Sequence, residues 1–125
     1  MRKVNVLQFI CPTGFYGAER WILALAKNSD PLKVRFDLAV TDESSKQDLE
    51  IVNQFPTIEG KTFKVQMRSR FDLKGIEQLC KIIKDRQIDI IHTHGYKSDI
   101  LGLITAKKCG AICISTPHGF GEATS

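Results

Sequence analysis

The sequence predicts an α/β domain: an open parallel sheet with helices on both faces. Three observations carry the prediction. Short apolar or β-branched runs alternate with runs of helical periodicity, four times over, and a fifth apolar run closes the series. Alternation of this kind demands crossover connections, which are right-handed and bury a parallel sheet on both sides. The 125 residues, 42% hydrophobic and 26% charged, suffice for one domain with one core.

The first strand is KVNVLQFI (3–10), apolar with partial alternation. AERWILALAKN (18–28) follows as a helix, because Ala18, Trp21, Ile22, Leu25 and Ala26 fall at helical spacing and make one stripe. VRFDLAV (34–40) alternates and is β-branched, a second strand. SSKQDLEIVNQF (44–55) reads as a helix with a serine cap available, and KTFKVQM (61–67) as a weaker strand. Asp72 can cap a third helix whose buried stripe is Leu73, Ile76, Leu79, Cys80 and Ile83. IDIIHTH (88–94) is the fourth strand. KSDILGLITAKKCG (97–110) is a helix closed by Gly110, the residue type best suited to a left-handed cap. AICISTP (111–117) is a last short strand that Pro117 stops. The remaining HGFGEATS is too short for another element, and no repeat, low-complexity tract or linker interrupts the series.

Composition excludes several classes. No run approaches the ~18 apolar residues a membrane span requires. The opening MRKVNVLQFIC resembles a signal peptide, but Asn5 and Gln8 break its apolar stretch and no small-residue cleavage site follows. A cytoplasmic location is therefore expected. A net charge of +4 is explained most simply by a solvated surface, with an anionic phosphate ligand or lipid headgroup as the alternative. Arg68, Arg70 and Lys74 form a basic edge open to the same two readings. No aromatic residues interleave with a basic stripe, so no nucleic-acid partner is expected. Cys11, Cys80, Cys109 and Cys113 form no C-x-x-C pair and sit in or beside apolar runs, which predicts four free thiols and no metal site.

Ligands of open α/β sheets sit beyond the carboxyl ends of the strands, and three such ends carry unusual residues. The first is CPTGFYGAER (11–20), where Gly14 and Gly17 flank Tyr16. Glycine lets backbone approach a ligand closely, and the following helix aims its free N–H groups and positive dipole end into the loop. That is a workable phosphate cradle. It is neither G-x-G-x-x-G nor a P-loop, and a tight structural turn is the competing reading. The second is HTHGYKSD (92–99). His92 and His94, two apart on a strand, face one way and could line a pocket or form half a metal site; alternatively one packs in the core and the other caps the next helix. Gly95 permits close approach, and Lys97 adds charge at the helix start. The third is STPHGF (115–120), where His118 between Pro117 and Gly119 is a candidate acid, base or hydrogen-bond donor, or else a surface histidine.

Three stretches together carry a resemblance: GFYGAERWILALAK after the first strand, RFDLKGIEQLCKIIKDRQIDIIHTHGYKSDILGLITAKKCG, and ISTPHGF. In order, spacing and strand-end placement, the chain resembles the N-terminal domain of family 4 retaining glycosyltransferases, over nearly its whole length. The resemblance implies a Rossmann-like sheet forming the N-terminal half of a two-domain GT-B architecture. The family's first signature usually reads Gly-Gly-Ala-Glu; here Tyr16 stands in place of the first glycine. The resemblance further implies that Gly14, Tyr16 and Gly17 approach the diphosphate of a nucleotide-sugar donor. It places His118 in the cleft near the transferred sugar, and His92, His94, Gly95, Tyr96 and Lys97 on the acceptor side.

In that family the second domain holds most of the donor site, and nothing in residues 1–125 corresponds to it. The expectation is an acceptor-recognising half, inactive alone, of an enzyme that transfers sugar with retention and uses neither metal nor other cofactor. It would be a fragment, a truncated product or half of a split enzyme. Expected partners are a nucleotide-sugar donor, a sugar or lipid-linked acceptor and a separate C-terminal donor domain, with peripheral contact at the inner face of the membrane compatible with the charge. Two rival readings are a stand-alone nucleotide or sugar-phosphate binding module and an interaction subunit of a split glycosyltransferase.

Overall fold

The computed structural model describes residues 3–11, 17–42, 50–56, 60–67 and 72–116. Five strands, β1 (Val4–Ile10), β2 (Val34–Asp42), β3 (Thr62–Gln66), β4 (Ile90–His94) and β5 (Ile112–Thr116), alternate with four helices. These are α1 (Gly17–Asn28), α2 (Glu50–Gln54), α3 (Leu73–Asp85) and α4 (Tyr96–Cys109). Every pairing is parallel, and the order across the sheet is β3-β2-β1-β4-β5. The expected open parallel α/β sheet is therefore present.

The pleat divides the core into two. Leu7, Phe9, Ala39 and Val65 point to the side covered by α3 and α4, where Ile76, Leu79, Ile83 and Leu101 meet them. Ile10, Leu38 and Val40 point the other way, against Ile22 and Leu23 of α1, Ile51 of α2 and Phe55 just after it. Burial on both faces explains why β1 reads as nearly continuous apolar sequence rather than clean alternation. The strand order reverses between β1 and β4, because β1 leads outward to β2 while β4 returns to its other side. A crevice at that switch point is the ligand position characteristic of such sheets.

Local chemistry sets the element ends. Asp72 caps α3, its side chain accepting from the Lys74 N–H. Gly110 ends α4 at φ 76°, left-handed, and donates to the Ala106 carbonyl, as the sequence predicts. Asp37, fully buried in β2, ties that strand to the end of α3. Its carboxylate accepts from Arg86 Nε at 2.9 Å and Nη2 at 3.0 Å, from the Lys61 N–H at 2.9 Å and from Arg35 Nη2 at 3.3 Å. This hydrogen bond to Asp37, opposed by partial burial and reinforced by the carboxylate's charge, raises the Arg86 pKa above its ordinary value. A buried carboxylate satisfied on both oxygens avoids the large desolvation cost of an unpaired one.

Of the helix read over 44–55, Glu50–Gln54 is present, and residues 43–49 lie outside the described residues. Other expectations are corrected. Leu73, placed in the buried stripe of α3, is 73% exposed, while Gly75 and Ile82 join the buried face. Leu73 lies six residues before Leu79, which turns it about 120° away from that residue's direction on the helix. In α1, Trp21 is 42% exposed, and Leu23 and Glu19 are buried instead, so the buried stripe is rotated from the one apolar spacing suggests. The expectation of four free thiols fails for two. Cys80 of α3 and Cys109 of α4 are joined by a disulfide with Cα atoms 6.0 Å apart, a separation a disulfide spans readily. They are 29 residues apart in sequence, and only the packing of α3 against α4 brings them together. Cys11 and Cys113 are not in a disulfide.

Candidate functional site

At the switch point the carboxyl ends of β1 and β4 lie side by side, Ile10 opposite His94 and Gln8 opposite His92. Two helices begin at this end of the sheet, α1 at Gly17 and α4 at Tyr96. The first turn of each has N–H groups without intrahelical acceptors, and its dipole end is positive. Gly95 connects β4 to α4 at φ 101°, a backbone state that glycine alone adopts without strain. The turn is then fixed by Ser98, whose hydroxyl donates to the His94 carbonyl at 2.6 Å and accepts from the His94 N–H at 3.2 Å. The Asp99 N–H donates to the Gly95 carbonyl at 2.9 Å.

His92 and His94 share one face, as their spacing predicts, with ring centroids 4.3 Å apart. Trp21 of α1 lies over both, 5.5 Å from each ring and edge-on to His92. His94 is 3% exposed, and its Nε2 lies 2.5 Å from Gln8 Oε1. An amide oxygen only accepts, so the hydrogen sits on Nε2 of His94 and its Nδ1 is the basic nitrogen in the neutral ring. His92 is 9% exposed, and its Nε2 is 2.6 Å from the Thr116 hydroxyl on β5. Both imidazoles are thus oriented by neighbours on adjacent strands, with a half-exposed indole as their cover. Gln8 Nε2 is buried without a hydrogen-bond partner among the described residues.

On the opposite face of β4, Thr93 donates to Asp99 Oδ1 at 2.6 Å and is also bonded to Cys113. Burial pushes the Cys113 thiol pKa up; the Thr93 hydrogen bond lowers it and the Asp99 charge raises it again. Gly102 of α4 sits against Thr93 so closely that a Cβ there would collide with Thr93 Cγ2.

The structure brings together His92, His94, Gly95, Tyr96 and Lys97 at one strand end, with Gly17 opening the neighbouring α1. Tyr96 is 79% exposed, Gly95 and Lys97 half-buried. Gly14, Tyr16 and His118 lie outside the described residues. Sequence reasoning missed Gln8, Thr116 and Trp21 as members of this cluster. Gln8 carried a signal: it is an amide in a strand buried on both faces, two residues from Ile10. Among the described residues, no group of three or more His, Cys, Asp or Glu side chains could hold a metal ion. Nor does any described helix have the length and apolarity to cross a membrane. A cavity of about 570 Å³ lined by Ala26, Val34, Phe36 and Phe55 opens near the amino end of β2, away from this crevice.

Comparison with known proteins agrees with this fold. A 50-residue stretch is 44% identical to the Escherichia coli enzyme UDP-Gal:alpha-D-GlcNAc-diphosphoundecaprenol alpha-1,3-galactosyltransferase, covering 39% of this chain and 13% of that one. The lipopolysaccharide outer core galactosyltransferase WaaB, in its apo form, superposes with a TM-score of 0.64 at 18% identity, over 92% of this chain and 33% of its own. A UDP-N-acetylglucosamine 2-epimerase superposes with a TM-score of 0.63 at 17% identity, over 92% of this chain and 33% of its own. At such identities these structures establish the shared fold, and the chain spans about a third of their length. The model of Glycosyltransferase Family 4 matches residues 15–124, from the loop before α1 past the end of β5, and the chain belongs to that family.

Proposed function

We propose that this chain is the acceptor-recognising, N-terminal half of a glycosyltransferase that moves a sugar from a nucleotide-sugar donor to an acceptor with retention of configuration. The observation that carries the reading is the convergence of Trp21, His92 and His94 with the starts of α1 and α4 at the β1/β4 switch point. The name of the E. coli relative supports a UDP-sugar as donor and a lipid diphosphate as acceptor class.

In this reading the loop containing Gly14, Tyr16 and Gly17 approaches the donor diphosphate, and the α1 start supplies N–H groups and a favourable dipole. The segment His92–Lys97 meets the acceptor, with the Gly95 backbone allowing close approach. His118 donates a hydrogen bond to the transferred sugar or the departing phosphate. Charge grows on the leaving diphosphate in the transition state, so a donor aimed there acts on kcat. The donor-binding half comes from further chain or from a separate subunit, and peripheral membrane contact brings the site to a lipid-linked acceptor. Without that half the donor is held on one side only, and the chain by itself turns over no substrate.

Titration calorimetry with UDP-sugars and with a short-chain lipid diphosphate sugar tests this. The chain alone is expected to bind acceptor more tightly than donor and to release no UDP. Transfer appears when a donor domain is supplied, and His118→Ala then lowers kcat by on the order of a hundredfold. Donor binding with no acceptor affinity and no gain from the second domain would instead make the chain a nucleotide-binding module.

A further inference from the structure

The Cys80–Cys109 disulfide borders an open cavity. A depression of about 580 Å³ is lined by both cysteines together with Lys81, Ile83, Lys84, Gln87 and Ile88. Cys80 and Cys109 are half-buried, and Lys81 and Lys84 are exposed. Exposed disulfides are the labile, regulatory or catalytic ones, and both cysteines of this one line the depression. The charges around it carry one sign. Lys81 follows Cys80 directly, and Lys84 lies four residues on, along the same side of α3. Lys107 and Lys108 precede Cys109 in the last turn of α4. The acidic neighbours on α3, Glu77 and Asp85, do not line the depression.

We infer that the Cys80–Cys109 pair is a thiol–disulfide exchange site for a small anionic thiol, of which the tripeptide glutathione is the representative class. The thiolate of that molecule attacks one protein sulfur, the S–S bond breaks, and the other sulfur leaves as a thiolate. The better leaving group is the thiolate more stabilised by nearby positive charge. Lys81 and Lys84 line the depression beside Cys80, whereas Lys107 and Lys108 do not line it, so Cys80 is favoured in that role. Cys109, beside the negative end of the α4 dipole, is the less stable thiolate and so the sulfur that is attacked. The product is a mixed disulfide on Cys109 and a free Cys80 thiolate. A second small thiolate then attacks the small-molecule sulfur of that mixed disulfide. It releases the Cys109 thiolate and leaves the small disulfide as the oxidised product. Two electrons pass from two small thiolates to the protein pair, and water protonates the protein thiolates to the extent of their pKa. The lysines also concentrate an anionic thiol over the site, an effect that falls as salt rises.

The test starts from the full chain purified without reductant. Intact mass, with alkylation under denaturing conditions, is expected to show one disulfide and two alkylated cysteines, with Cys80 and Cys109 in one linked peptide. Reduction under native conditions is then timed with 2-mercaptoethanesulfonate, which is anionic, and 2-mercaptoethanol, which is neutral, at equal thiolate concentration. The anionic thiol is expected to react about three- to tenfold faster at low salt. The preference is expected to vanish at high salt and in the Lys81→Gln/Lys84→Gln variant, whose changes are on the surface and leave the fold intact. Glutathione is expected to leave its adduct on Cys109 first. Absence of the disulfide, equal rates for the two thiols, or reduction only after denaturation would each overturn the proposal.

Discussion

Gln8 Oε1 of β1 lies 2.5 Å from His94 Nε2 of β4, so a single side-chain bond spans the two strands between which the sheet reverses its order. Both residues are buried, Gln8 completely. The bond fixes the His94 tautomer and the ring plane against which Trp21 and His92 pack.

The first prediction concerns that bond. Gln8→Leu leaves the buried His94 N–H without its acceptor and should cost about 1–3 kcal/mol. Gln8→Leu with His94→Phe removes both polar partners, and it should recover most of the loss because no group is then left unsatisfied. Denaturant unfolding of the two singles and the double forms the cycle. A double variant whose loss equals the sum of the two single losses would show that the two side chains act independently.

Gly102 and Thr93 give the second. Thr93 is held by bonds to Asp99 Oδ1 at 2.6 Å and to the Ile114 carbonyl at 3.3 Å, so its methyl cannot swing away from a new Cβ. Gly102→Ala should therefore destabilise by about 1–3 kcal/mol, although alanine is the better helix former by about 1 kcal/mol. Thr93→Ser keeps the hydroxyl and removes the methyl that a Cβ would meet. In that background Gly102→Ala should be neutral or stabilising, as thermal unfolding would report.

The third prediction is a pH dependence. The Cys113 pKa is raised chiefly by burial, so the folded chain holds this thiol proton more tightly than the unfolded chain does. The contribution to stability is complete below the ordinary thiol pKa and is lost as pH rises through the raised one. The same shift slows reaction, because the thiolate is the nucleophile. In a Cys11→Ser background, Cys113 alkylation by iodoacetamide should have its pH midpoint above that of free cysteine. Asp99→Asn should move it down, since the Asp99 charge contributes to the shift. A midpoint at or below the free value would remove the argument.

Much of this was legible because periodicity and parity survive folding. Strand alternation alone puts His92 and His94 on one face, and glycine chemistry places the end of α4 at Gly110. Other features were hidden for physical reasons. Trp21 fitted the apolar stripe of α1 by spacing alone. Its position over two imidazoles depends on which strand lies beneath that helix, which is a matter of sheet order. Gln8 looked like an interruption of a strand until β4 was found beside it. The Cys80–Cys109 bond was invisible for a related reason. The two positions lie on different helices, and no local spacing rule relates them.

The last prediction uses Trp21 as a reporter. It is the chain's one tryptophan, it is 42% exposed, and two imidazole rings lie 5.5 Å from its own. Its emission therefore reports on the switch-point crevice alone. An acceptor analogue that enters the crevice should desolvate the indole and move the emission to shorter wavelength, with a midpoint equal to the calorimetric Kd. Tyr96→Ala removes a 79% exposed side chain at the start of α4. It should weaken binding with little effect on the melting temperature, because so little of the ring is packed. Trp21→Phe should keep a ring over the histidines while abolishing the signal, so calorimetry on that variant separates loss of reporter from loss of binding. If the analogue binds by calorimetry while Trp21 emission stays unchanged, the acceptor lies elsewhere on the molecule, and the assignment of His92–Lys97 fails with it.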